Sequence, residues 1–205
     1  MLIEFAYSLP VLMLLAFTSI EVANFAIANM RISQIAMTVA DNLSRAKQSV
    51  PLGLPQLREA DINDALLGAQ IQGNNGIPVL TNGRVVVSSL QRDSAGKQTI
   101  TWQRCKGELR NANSSYGAQG ATEGTTATFT GMGSPTVIQA PEGSAIIFAE
   151  ITYNYVPLVG GWVIGPRTIR REAAYFVRDD RDLTKVYNPA PTATVADCGT
   201  YNSTF

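Results

Sequence analysis

The sequence predicts an α+β fold: one long N-terminal helix, membrane-embedded over its first half, packed by its second half on a small antiparallel β-sheet head. Three observations predict it. Residues 1–30 hold no Lys or Arg, and their only charges are Glu4 and Glu21. A helical period of apolar residues then runs over 25–50 and is closed by Pro51, Gly53 and Pro55. Beyond it, segments rich in β-formers alternate with turn sequences. The division that follows is a transmembrane and assembly helix over 1–50 and a head over 51–205.

Between Glu4 and Glu21 lies FAYSLPVLMLLAFTSI, 16 residues without a charge, and VANFAIANM adds nine more before Arg31. A spanning helix needs roughly 20 mostly apolar residues. The segment meets that if Glu21 sits near one interface or has a partner. A cleaved secretory signal would open on basic residues, which this start lacks. A soluble helix apolar on every side would need a larger core than this chain provides. From Phe25 onward Ala28, Ile32, Ile35, Val39, Leu43, Ala46 and Val50 recur in steps of three and four, the spacing of one helix face. The opposite face carries Asn24, Arg31, Gln34, Thr38, Asn42, Arg45 and Gln48. One helix of about 45 residues is expected, roughly 70 Å long at ~1.5 Å per residue. Pro10 has no N–H for the Ala6 carbonyl, so local loosening is expected there.

A second, short helix is expected over about 56–70, with Asp61 and Asp64 on its polar side. They could cap its start, although a solvated face is the simpler reading. GRVVVSSLQR (83–92) and KQTITWQRC (97–105) flank the turn sequence DSAG and should form a hairpin. Residues 107–135 read as loop, with short strands expected around 126–129. SAIIFAEITYNYVPL (144–158) and PRTIRREAAYFVRDD (166–180) read as a second antiparallel pair. From Asn188 the tail is rich in Pro, Thr and Ala and should be extended.

Composition bounds the chemistry. Sixteen bases balance sixteen acids, which gives no electrostatic case for gripping nucleic acid. Histidine is absent, removing Ser-His-Asp triads, Cys-His dyads and imidazole-held metals. Two cysteines are too few for a thiolate zinc site. Asp179, Asp180 and Asp182 cluster in DDRD without a calcium-loop spacing, so a solvated turn is expected rather than a metal site. No phosphate-binding glycine motif follows a strand. Neither a cofactor nor an enzymatic activity is expected. Cys105 and Cys198 lie 93 residues apart. If the head occupies an oxidising space, they should form a disulfide that staples the tail to the 97–105 strand; two separate buried thiols are the alternative. Glu4, an acid at the edge of an apolar run, is expensive in lipid and functional by default; marking the membrane edge is the plainer reading.

The stretch LIEFAYSLPVLMLLAFTSIEVANFAIA resembles the N-terminus of TadE-like pseudopilins, minor subunits of tight-adherence (Tad) pili in the type IV pilus superfamily. The residues that carry the resemblance are Glu4-Phe5-Ala6, Leu9-Pro10-Val11 and a second acid, Glu21, about one membrane span later. It continues more loosely through ITWQRC (100–105), AEITYNYVPL (149–158) and the strand bearing Arg170. Family precursors carry a short basic leader removed by a prepilin peptidase, and their Glu stands one place later in the mature chain. The sequence is therefore expected to begin near the mature end.

The resemblance implies a structural subunit anchored in the bacterial inner membrane, head in the periplasm, which enters or primes a pilus for surface adhesion. Its partners would be other pilin and pseudopilin subunits and the assembly machinery. It implies assembly roles for Glu4, Phe5 and Glu21, with Glu4 meeting an α-ammonium group and Glu21 acting differently, as a bundle contact or an interfacial residue. The uncharged 156–166 loop, VPLVGGWVIGP, offers Trp162, Val163 and Ile164 as a candidate subunit contact, because aromatic residues concentrate in interface cores; a loop folded back onto its own head is the alternative. A membrane-anchored adhesin or binding module at a pilus tip is the alternative.

Overall fold

The computed structural model of the chain describes residues 2–74, 76–125, 129–178 and 180–205, with the side chains of Leu2 and Ile3 outside the description. The fold is α+β, as expected. Helix α1 (Leu2–Arg45) is 44 residues long and carries Pro10 inside it. Strand β1 (Gln56–Arg58), helix α2 (Glu59–Gly73) and strands β2 (Gly83–Arg92), β3 (Gln98–Lys106), β4 (Ala145–Tyr155), β5 (Arg167–Phe176) and β6 (Asp182–Tyr187) follow. Strands β2 to β5 form one antiparallel sheet in the order β3-β2-β4-β5, which contains both expected hairpin pairs. The short strands β1 and β6 pair in parallel as a separate sheet.

The sheet is covered on both faces, and alternation decides which residue goes where. On one face Val85, Val87, Ile147, Ala149, Ile151 and Tyr153 pack with Ile32, Ile35, Val39 and Leu43 of α1 and Ile62 and Leu66 of α2. The opposite face holds Leu90, Ile100, Ile146 and Phe148 beneath Phe129, Met132 and Ala140 of the long connection before β4. One bulge breaks the alternation. Ser89 pairs with Trp102 and Leu90 with Ile100, so Thr101 is the extra residue. The bulge sends Trp102 to the helical face and Ile100 to the other, although two places apart they would otherwise share a face.

Helix α1 stops at Arg45, before the expected end, so Ala46 and Val50 continue its apolar period outside the helix. Arg181 explains the stop. Its guanidinium, 6% exposed, donates from Nη1 to the carbonyls of Leu43 (2.8 Å) and Ala46 (2.7 Å). A cation there satisfies orphan carbonyls and complements the helix dipole. The DDRD segment therefore differs from the expected solvated turn: Arg181 caps α1, and Asp182 opens β6 by accepting from the Thr184 N–H (2.8 Å) and hydroxyl (2.6 Å) and from the Tyr187 hydroxyl. Asp179 lies outside the described residues, as do 126–128, where short strands were expected.

Helix α2 begins at Glu59 rather than 56, because residues 56–58 pair with β6. Asp61 is a cap after all. Its Oδ2 accepts the Arg58 N–H at 2.9 Å and its Oδ1 the Arg58 Nη2 at 2.8 Å, whereas Asp64 is exposed. Glu59, buried, takes Arg104 of β3 through Nε (2.9 Å to Oε2) and Nη2, which ties α2 to the sheet edge.

Cys105 and Cys198 are joined in a disulfide. Around it the tail adds to β3, with Cys105 N–H donating to the Ala196 carbonyl (2.8 Å) and Gly107 N–H to Asn202 (2.9 Å). Gly107, at φ +126°, is required there: a Cβ would come within 2.4 Å of the Gly83 carbonyl oxygen. Arg84 is wholly buried beneath the tail and donates to the carbonyls of Cys198 (2.6 Å), Thr200 (3.1 Å) and Gly107 (3.2 Å). Burial pulls its pKa down, and the Tyr201 ring at 4.1 Å from the guanidinium carbon offers a cation–π contact.

Glu150 is the costly residue of the opposite face. It is 2% exposed; Oε1 accepts the Ser115 N–H at 2.9 Å, and Oε2 has no hydrogen-bond partner. Glu172 stands directly across on β5. Burial raises the Glu150 pKa, opposed by hydrogen bonds from Ser114 and Ser115 and reinforced by the Glu172 charge. A carboxyl whose folded pKa exceeds its unfolded value stabilises the fold fully below the unfolded pKa, about 4.3, and loses that contribution as pH rises through the folded pKa. Glu150→Gln is thus expected to raise the Tm at neutral and alkaline pH and to gain little below about pH 4. Thermal unfolding across pH checks this; an equal gain at every pH would mean that the charge is not the cause.

Candidate functional site

The helix divides at Glu21. From residue 4 to residue 20 its side chains stand clear of the head: Tyr7 is 78% exposed and Phe5 58%, and Val11, Leu12, Leu14 and Leu15 are exposed as well. Helix α1 is long and apolar enough to cross a membrane. The distance from Glu4 to Glu21 is about 25 Å at ~1.5 Å per residue, close to the ~30 Å hydrocarbon core of a bilayer. Glu4 and Phe5 both lie on this uncovered part, away from every element of the head.

Glu21 is the first residue of the covered part and is wholly buried. Its Oε1 accepts the Tyr155 hydroxyl at 2.6 Å. Its Oε2 accepts two successive backbone N–H groups, Leu158 at 3.0 Å and Val159 at 2.8 Å. Tyr155, the last residue of β4, also receives a hydrogen bond from Asn24 Nδ2 at 2.7 Å, and its ring meets Phe25 edge-on with centroids 5.1 Å apart. Burial, and then the bond to Glu21, push the Tyr155 hydroxyl up to about 12, so it stays protonated and keeps donating. One turn further on, Asn29 Oδ1 accepts Arg171 Nη2 of β5 at 2.6 Å. The carboxylate thus closes the seam between helix and head from within one chain.

The 156–166 loop leaves β4 at this seam and returns into β5. Val156 is 60% exposed, Leu158 70% and Trp162 61%, while Val163 and Ile164 are half-buried. Gly160 takes φ +116°, and a Cβ there would stand 3.3 Å from the indole Cδ1 of Trp162, so the ring lies over the glycine. Trp162 therefore belongs to a surface rather than the core. Among the described residues no three His, Cys, Asp or Glu side chains gather where they could hold a metal ion.

No family model, curated protein or solved structure matches this chain.

Proposed function

We propose that this chain is a structural subunit of a tight-adherence pilus, a TadE-like minor pseudopilin held in the bacterial inner membrane before it enters or primes the fibre. One observation carries the reading: a continuous helix whose first half is apolar and uncovered, and whose second half is the core of the head, divided by the buried Glu21. A simple membrane anchor needs no rigid connection to its domain. A subunit that leaves the bilayer for a helical bundle does, because lipid must be exchanged for neighbouring helices while the head holds its orientation. The Cys105–Cys198 disulfide supports a head in an oxidising compartment such as the periplasm. The role is structural rather than catalytic, with other pilin subunits and the assembly machinery as partners and a prepilin peptidase acting on the precursor. Co-purification of the intact chain with sheared pili tests the reading. Recovery in the membrane fraction alone would instead favour an anchored binding module.

Glu4 gives the sharper test. A carboxylate entering hydrocarbon costs a few kcal/mol even on lenient insertion scales, and an α-ammonium group, with an unperturbed pKa of about 8, is a charged partner at neutral pH. An amine of one subunit meeting Glu4 of another would reward the correct axial register. Glu4→Gln is expected to leave membrane insertion intact while incorporation into pili falls sharply, with Glu4→Asp intermediate. Membrane fractionation and pilus shearing on the same cells measure both. Normal incorporation of the Gln variant would remove the charge pair from the docking step.

A further inference from the structure

We propose that the 156–166 loop rests in the headgroup layer of the bilayer while the subunit waits in the membrane, so that the head is held at a fixed tilt by two points, the helix and Trp162. The proposal rests on the membrane reading of α1 and adds a lipid-contacting surface on the head.

The level of the loop is fixed by Glu21. Two of its backbone N–H groups bond that carboxylate directly, at 3.0 and 2.8 Å. Glu21 ends the uncharged run that starts after Glu4, about one hydrocarbon thickness along the helix axis. If residues 4–20 fill the hydrocarbon, the loop has no other height than the boundary where lipid chains give way to headgroups. Its composition suits that layer. Eleven consecutive residues carry no charge, and three apolar side chains, Val156, Leu158 and Trp162, are each at least 60% exposed although the head's own core is adjacent. Tryptophan favours this boundary because its ring is apolar and its N–H finds water or headgroup oxygens. Arg167 follows at once and is exposed, placed to meet lipid phosphate. The surface is also prebuilt. The ring lies over Gly160, and Glu21 holds the first turn of the loop, so little ordering remains to be done on contact.

A second occupant, the helix or head of a neighbouring pilus subunit, would also want an exposed tryptophan, but it does not account for the coincidence of the loop with the end of the apolar run. The test uses the full chain in proteoliposomes containing lipids brominated either near the headgroup end or near the methyl end of their acyl chains. Trp102 is 6% exposed in the head, and Trp162→Phe identifies by difference the emission due to Trp162. The shallow bromines are expected to quench the Trp162 emission about twice as strongly as the deep ones, as for a ring seated ~5–10 Å into the boundary. Absence of quenching by both probes, in protein that floats with the vesicles, overturns the loop contact and leaves the membrane helix standing. Protein that fails to float overturns both. A Trp162 emission that shifts to the blue only in assembled fibres assigns the loop to a subunit contact and also overturns the proposal.

Discussion

Glu21→Leu is expected to weaken the seam between α1 and the 155–159 segment by about 4 kcal/mol, from three stranded donors at ~1–3 kcal/mol each less the desolvation relieved when the carboxylate goes. The Tyr155 hydroxyl and the Leu158 and Val159 N–H groups all lose their acceptor at once. Leucine meanwhile lengthens the apolar run, so membrane insertion should be unimpaired, which separates loss of docking from loss of anchoring. Glu21→Gln keeps one acceptor oxygen and should fall between. The measurement is amide hydrogen exchange on the full chain in lipid. Leu158 and Val159 should lose protection together with the α1–β5 contact at Asn29 and Arg171, while the β2–β3 hairpin keeps its own. Unchanged protection at Leu158 and Val159 would mean that packing around Ile32 and Ile35 alone holds the seam.

The same residue shows how far the sequence could be read. That Glu21 needed a partner or an interface followed from its position inside an apolar run. Which partner it has did not, because Tyr155 lies 134 residues away and no local pattern links them. The long helix, the two strand pairs and the exposed loop were all legible from period and composition, because each is set by neighbours within a few residues. The elements missed depend on distant ones. Strand β6 exists because β1 pairs with it, and both are too short to show a pattern. Arg181 reads as one charge in an acidic turn, yet it ends α1 through the carbonyls of Leu43 and Ala46. Trp102 and Ile100 look like neighbours on one face until the bulge at Thr101 separates them. Arg84 sits in a run of valines, where a strand between two layers gives no hint that a tail will cross above it. The roles proposed for Glu4 and Phe5 come from the resemblance and from the cost of charge in lipid.

Replacing both Cys105 and Cys198 with alanine is expected to destabilise the head by about 4–5 kcal/mol, the chain-entropy value for a closed loop of this size, and by less where the unfolded chain keeps residual structure. At this chain length that corresponds to roughly 10 °C or more in Tm. The separation of 93 residues means that the bridge restrains almost half of the unfolded chain. In the folded chain it also holds the tail where other groups depend on it. The Cys198 carbonyl accepts Arg84 Nη2 at 2.6 Å, and the Thr200 carbonyl takes Nη1, so loosening the tail exposes a cation that is otherwise wholly buried. The Lys106 ammonium likewise relies on the Thr204 carbonyl, with the Phe205 ring 4.5 Å away. The double variant should therefore show a second effect that a pure unfolded-state account does not give: cleavage of the tail after residue 187 by protease under native conditions. Intact mass before and after reduction and alkylation establishes the bridge in the wild type, and denaturant unfolding of the full chain in detergent gives the loss. A midpoint equal to that of the wild type, with the tail still protected, would show that the β3 pairing and Arg84 hold the tail without the bridge.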